Sequence, residues 1–211
     1  MVQAWNWPAI ALTARILSYK QNLLVPHATA ISLEKVNFTV LKQNQIKGVL
    51  LDKDNTITKP YKNTLQPRLR QSIEKATSLF GNRNVVIISN SAGGPDDDSF
   101  KEATAVENSI GLPVLRRTHK KPAGIESVLA HFDVSDPSQL VMIGDRLLTD
   151  VAFGNKHGML TIHTHPLTTS GDPLIVRCAR RFENVLVSVF RYFGVRAPAH
   201  KLASTDCAVD E

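Results

Sequence analysis

Five short, mostly apolar runs constrain this chain more than any other feature: "IKGVLLD" (46–52), "NVVIIS" (84–89), "LPVLR" (112–116), "LVMIGD" (140–145) and "MLTIHT" (159–164). Stretches of helical periodicity separate them, at about 66–80, 97–110, 122–131 and 148–156. The second opens after the acids Asp96 to Asp98 and the third after Pro122, residue types suited to a helix's first turn. A strand that is apolar throughout must be covered on both faces, and a helix between successive strands lets them run parallel. The predicted fold class is therefore α/β: a doubly wound, mostly parallel Rossmann-like sheet with helices on both faces.

A chain of 211 residues suits one domain with appendages, and 43% apolar content is ample for its core. No stretch approaches the roughly 18 uninterrupted apolar residues that span a bilayer. Cys178 and Cys207 show neither metal-ligand spacing nor a disulfide framework. A net charge of +6 favours anionic partners. With no dense Lys/Arg run and no helix-turn-helix or RNA-recognition signature, nucleic acid is not the expected one.

The ends differ from the middle. Residues 1–33 hold no acid before Glu34, and they carry Trp5, Trp7, Arg15 and Lys20 around the run "PAIALTARILSY". Ile10, Ala14 and Leu17 follow helical spacing, so the segment reads as a helix lying in a membrane interface. Its rivals are a targeting presequence, a helix packed on the sheet, and a contact between copies of the chain. The expected domain then covers 34–197, and 198–211 is a flexible tail. Within the domain, "PLIVRCARRFENVLVSVFRYFGV" is a long helix candidate. Its apolar stripe is Ile175, Ala179, Phe182, Leu186, Val189 and Phe193, expected to cover a sheet face, and Arg177, Arg180, Arg181 and Arg191 are its basic positions.

Open parallel sheets bind ligands beyond the carboxyl ends of their strands. Three predicted strands end in reactive groups: Asp52, Ser89 and Asp145. Taken alone, "DKDNT" is equally a turn in which Asp54 and Asn55 stabilise the backbone. Its company is more specific: Ser89 ends the next strand, Lys121 precedes Pro122, and "GDRLLTD" supplies Asp145 and Asp150.

In that order, over residues 46 to 165, the set resembles the four motifs of the haloacid dehalogenase superfamily of phosphotransferases. The resemblance implies Asp52 as nucleophile, Asp54 as general acid and then base, and Lys121 as the cation that offsets phosphate charge. Lys121 is preferred to Lys120 because the family lysine directly precedes a proline. It also implies Mg²⁺, held by Asp52 and Asp145 with the Asp54 carbonyl and with support from Asp150, and a phosphate site formed by Asn55, Thr56, Ser89, Asn90 and Lys121. These residue types suit the chemistry. A dianionic phosphomonoester repels a carboxylate nucleophile unless positive charge intervenes, and a covalent intermediate splits one hard displacement into two.

About 35 positions separate Asp54 from Ser89, and about 32 separate Ser89 from Lys121, so no large cap domain is expected over the site. An open site suits a phosphate carried by something large. "DKDNT", "ISNS", "KKP" and "GDRLLTDVAFGNKHG" are similar to the mitochondrial phosphatidylglycerophosphate phosphatases, which release phosphatidylglycerol for cardiolipin synthesis. That similarity implies an anionic phospholipid substrate and peripheral attachment to the matrix face of the mitochondrial inner membrane. Two alternatives stand beside it: a capless phosphatase of phosphoprotein or soluble phosphates, and a non-enzymatic membrane-bound scaffold.

Other features read as ordinary. "PDDDS" is expected to be a helix start, His163 and His165 a solvent-facing pair, and Arg116 to Lys120 a solvated loop near the site. The stretch "AGGPDDD" after Ser91 matches no part of the family pattern.

Overall fold

The computed structural model describes residues 20–121, 123–168, 174–202 and 209. Five strands, β1 (Ala28–Ala30), β2 (Gly48–Leu51), β3 (Val85–Ile87), β4 (Leu140–Gly144) and β5 (Leu160–Thr164), form one sheet in the order β1-β5-β4-β2-β3. All four pairings are parallel. The helices are α1 (Phe38–Gln43), α2 (Arg70–Phe80), α3 (Lys101–Ile110), α4 (Ile125–Phe132), α5 (Ala152–Lys156) and α6 (Leu174–Tyr192).

Strand residues alternate between the two faces as the pleat requires. Val49, Leu51, Val141 and Ile143 pack with Phe38 of α1, Ile73 and Phe80 of α2, and Val106 of α3. Leu50, Leu140 and Met142 pack on the other face with Val128 and Phe132 of α4 and with Phe153 of α5. The result is the doubly wound, two-sided α/β sheet expected from the apolar runs. Strand order reverses between β2 and β4, which places Asp52 and Asp145 side by side at the switch point. Among the described residues, the connections after β2 and β3 hold short helices and turns, with no large cap.

Four local features differ from expectation. "LPVLR" forms a single bridge, Val114 to Ile87, rather than a full strand, although Pro113 O and Leu115 N both bond to Ile87. β1 was not anticipated: it is three residues long and pairs its Ala28 with Ile162. The described part of the N-terminal segment is core rather than appendage. Asn155 Nδ2 donates to Leu23 O and Val25 O, and His27 Nδ1 meets Thr161 Oγ1 at 2.8 Å. Thus the folded unit begins no later than residue 21 instead of 34, and residues 1–19, with both tryptophans, lie outside the described residues. At the other end, Pro198 O bonds His27, His200 bonds Ser138 O, and Val209 bridges to Val36, so this part of the expected tail is tied down.

α6 departs from its predicted stripe. Phe182, Val189 and Phe193 are exposed, while Glu183, Val187 and Phe190 are buried; the Ile175 side chain lies outside the described residues. Electrostatics sets the rotation. The Glu183 carboxylate accepts bonds from Leu147 N and Leu148 N at the start of the π-type turn Leu147–Val151, and it pairs with Arg146. A carboxylate facing unpaired amides at a helix start is well placed, and this one turns its own helix inward.

Candidate active site

β2 is buried end to end and delivers Asp52 to the carboxyl edge, where Asp52 N bonds Ile143 O at the tip of β4. The next residues curl tightly: Asn55 adopts a left-handed φ of 64°, which Asn tolerates, and its N–H donates to Thr58 O. β4 ends in Gly144 and Asp145. Gly144 is required by close approach, since a Cβ there would stand 2.4 Å from Asp150 Oδ2. The π-type turn that follows carries Asp150 back over the strand end, where its Oδ2 accepts from Arg146 N. Such turns recur at functional sites.

Lys121 arrives from the opposite side and is fully buried. Its Nζ donates to Asp52 Oδ1 at 2.6 Å, Asp150 Oδ1 at 2.5 Å and Ile88 O at 2.9 Å. Burial favours the neutral amine, but the Asp150 and Asp52 carboxylates outweigh it and hold the ammonium charged. Lys120 instead pairs with Asp96 at the surface.

The expected residues converge. Asp52, Asp145 and Asp150 are buried, and each offers a carboxylate oxygen within 4.8 Å of the others. Burial, then the nearby Asp150 charge, raises Asp52 to about 7 despite Lys121; burial and the Asp52 charge push Asp145 well above the carboxylate range despite Arg180. Asp145 Oδ1 is buried with no hydrogen-bond partner. Clustered hard oxygen donors under mutual repulsion, one of them unsatisfied, fit a divalent cation such as Mg²⁺. Asp54 stands beside this cluster rather than in it. Its carboxylate accepts from Lys53 Nζ at 2.8 Å, Tyr61 N at 2.9 Å and Ser91 Oγ at 3.2 Å.

Around them, Ser89 Oγ lies 3.0 Å from Ser91 Oγ, and Thr56 Oγ1 is buried without a partner. The side-chain oxygens of Asn55 and Asn90 accept from Thr168 N and Lys121 N. Sequence reasoning missed three cations. Lys53 is buried against Asp54; Arg117, read as part of a solvated loop, is buried and donates to Ser89 O; Arg180 reaches Asp145 from α6. His163 is likewise not solvent-facing: it is buried with Nε2 at 3.2 Å from Asp145 O, whereas His165 is exposed. "PDDDS" behaves as expected, with the Asp97 carboxylate accepting from Gly93 N, Glu102 N and Ala103 N.

Residues 9–168 match the family model described as mitochondrial PGP (phosphatidylglycerophosphate) phosphatase. The chain belongs to this family. Membership makes it a phosphatase, a phosphomonoester hydrolase with the haloacid dehalogenase-like fold. Phosphatidylglycerophosphate phosphatase 1, chloroplastic, of Chlamydomonas reinhardtii is 44% identical over 206 residues, covering 97% of this chain and 76% of that protein. A chloroplastic/mitochondrial relative of the same name from Arabidopsis thaliana is 39% identical over 204 residues, covering 96% of this chain and 58% of its own length. A mitochondrial phosphatidylglycerophosphatase of Saccharomyces cerevisiae is 32% identical over 150 residues, 69% of this chain and 80% of that protein.

Proposed function

We propose that this family member is a Mg²⁺-dependent phosphatidylglycerophosphate phosphatase that hydrolyses the terminal phosphomonoester to phosphatidylglycerol, a precursor of cardiolipin. The observation that carries the chemistry is Asp52, fixed against Lys121 at the switch point beside Asp145 and Asp150. An Asp52 oxygen attacks phosphorus, forming an aspartyl-phosphate as the bond to the glycerol oxygen breaks. Asp54, two residues on and partly exposed, gives its proton to the departing alkoxide. It then takes a proton from water, which attacks the same phosphorus and frees Asp52 and inorganic phosphate. Lys121, the amide of residue 54, and the hydroxyls of Thr56 and Ser89 hold the phosphoryl oxygens, whereas the Asn55 amide, expected to join them, is already bonded to Thr58 O. Asn55 and Asn90 shape that cradle through the backbone groups they bind. Asp52, Asp145 and Asp150, with the Asp54 carbonyl, would hold Mg²⁺, which when bound neutralises phosphate charge.

Two observations support a membrane-borne substrate. The site has no large cap among the described residues, and α6 turns Phe182, Val185, Val189, Tyr192 and Phe193 outward beside arginines. No described helix is long and apolar enough to cross a membrane. The proposed attachment is peripheral, through α6 together with the segment 1–19. The proposed location is the matrix face of the mitochondrial inner membrane; the plastid names of two relatives make the chloroplast the competing compartment.

The test is phosphate release from vesicles containing phosphatidylglycerophosphate, compared with phosphopeptides and small soluble phosphates. The lipid should be turned over at least tenfold more efficiently. Preference for a soluble phosphate would favour the capless phosphatase reading instead.

A further inference from the structure

Beside the carboxylate cluster lies a groove of about 760 Å³, walled by α6 on one side and by the ends of β1 and β5 on the other. Asp145 forms part of its lining, so it opens directly onto the site. Arg177, Arg180, Arg181 and Arg191 also line it. Their spacing of three, four and fourteen positions from Arg177 puts them along one flank of the helix. The two acids in the lining are already matched: Asp145 pairs with Arg180, and Glu183 with Arg146. Among the described residues, Arg177, Arg181 and Arg191 have no carboxylate within ion-pair distance, and all three are exposed. A concave surface with three guanidinium groups that pair with no described carboxylate can receive an anion, since the planar fork matches phosphate oxygens in pairs.

We infer that this groove is a second phosphate subsite, which holds the phosphodiester of the substrate while its monoester lies at Asp52. The inference rests on the function proposed above. Phosphatidylglycerophosphate carries two phosphates joined by one glycerol, and a site for the monoester alone would accept any small phosphate. The groove starts at Asp145, so an anion one glycerol away enters the arginine flank. The adjacent flank of α6 is the apolar one, with Phe182, Val185 and Val189, which matches the order of headgroup and acyl chains along the lipid. Arg180, at the junction, positions Asp145 and borders both phosphates.

The same phosphodiester chemistry could come from a neighbouring anionic lipid rather than from the substrate itself, and the assay separates the two. Steady-state kinetics would be measured on a short-chain phosphatidylglycerophosphate below its micelle concentration, on glycerol 3-phosphate, and on long-chain substrate in vesicles. Arg177→Gln, Arg181→Gln and Arg191→Gln would be combined in one protein and compared with the triple Arg→Lys protein. In the monomeric diester substrate the triple Gln protein should lose at least tenfold in kcat/KM, mostly through KM, and the Lys protein should recover part of it. On glycerol 3-phosphate the loss should be under threefold. Equal losses on the two soluble substrates, no loss on either, or a loss seen only in vesicles would overturn the subsite. A wild-type protein inert toward phosphatidylglycerophosphate would overturn the proposed function and this inference together.

Discussion

Gly144 has no room for a methyl group, because its missing Cβ would meet three atoms of Asp150 at 2.4 to 2.7 Å. Gly144→Ala should therefore cost about 1–3 kcal/mol through overpacking and should push the Asp150 carboxylate off Lys121. Thermal melting and turnover should fall together; a variant normal in both would contradict the packing. Asp54→Asn separates a proton-transfer role from a positioning one. An alkyl phosphate, whose alkoxide must be protonated, should suffer at least tenfold more than an aryl phosphate with a good leaving group, and equal losses would remove Asp54 from acid–base duty. The places of Asp52, Asp145 and Lys121 were legible because each sits at a strand tip or before a helix, where local sequence names its place; the need for glycine at 144 was not. Nor were Arg180 and Arg117. Their partners lie 35 and 28 positions away in sequence, and no local pattern distinguishes a buried guanidinium from a solvated one.

α6 shows the limit of periodicity on an element that is apolar on more than one side. Its sequence offers one stripe through Phe182 and Val189 and another through Val187 and Phe190, and the buried Glu183 selects the second. Phe190→Ala should cost about 3–5 kcal/mol. Phe182→Ser should change stability by less than about 0.5 kcal/mol yet weaken binding to anionic vesicles; melting curves and vesicle sedimentation distinguish the two. If Phe190→Ala proves silent, the helix is not docked as described. β1 escaped prediction because three residues after Pro26 carry too little pattern, and its place is fixed by its distant pairing with β5 and by Asn155, which holds the preceding Leu23 and Val25 carbonyls. His27 in that junction is lowered to about 4 by burial, assisted by His200. A depressed folded-state value means that its stabilising contribution is full above about 6.5 and is lost as pH falls toward 4. The melting-temperature gap between wild type and His27→Gln should thus narrow from pH 7 to pH 5. A constant gap would mean that His27 titrates alike in both states.

At the scale of the whole molecule, the sheet and its switch point were readable from the apolar runs and the acids that end them, whereas the pairing of β1 with β5 and the contact of α6 with Asp145 were not. Burial first, and then mutual repulsion, raises Asp52 and Asp145 despite the nearby cations, so a cation bound there should stabilise the fold. Saturating Mg²⁺ at about 100 times its Kd should add roughly 2.7 kcal/mol of stability. At one fixed Mg²⁺ concentration the melting shift should grow between pH 6 and pH 8, as Asp52 gives up a proton held to about 7. No shift at any pH would argue against a cation at Asp52, Asp145 and Asp150. The most direct measurement is phosphate release from phosphatidylglycerophosphate vesicles by wild type and by folded Asp52→Asn, each with Mg²⁺ and with chelator. Release by the wild type that is lost both in chelator and in Asp52→Asn is the predicted result. Turnover that survives in Asp52→Asn would contradict Asp52 as the nucleophile, and turnover that survives chelation would contradict the metal-assisted chemistry built around it.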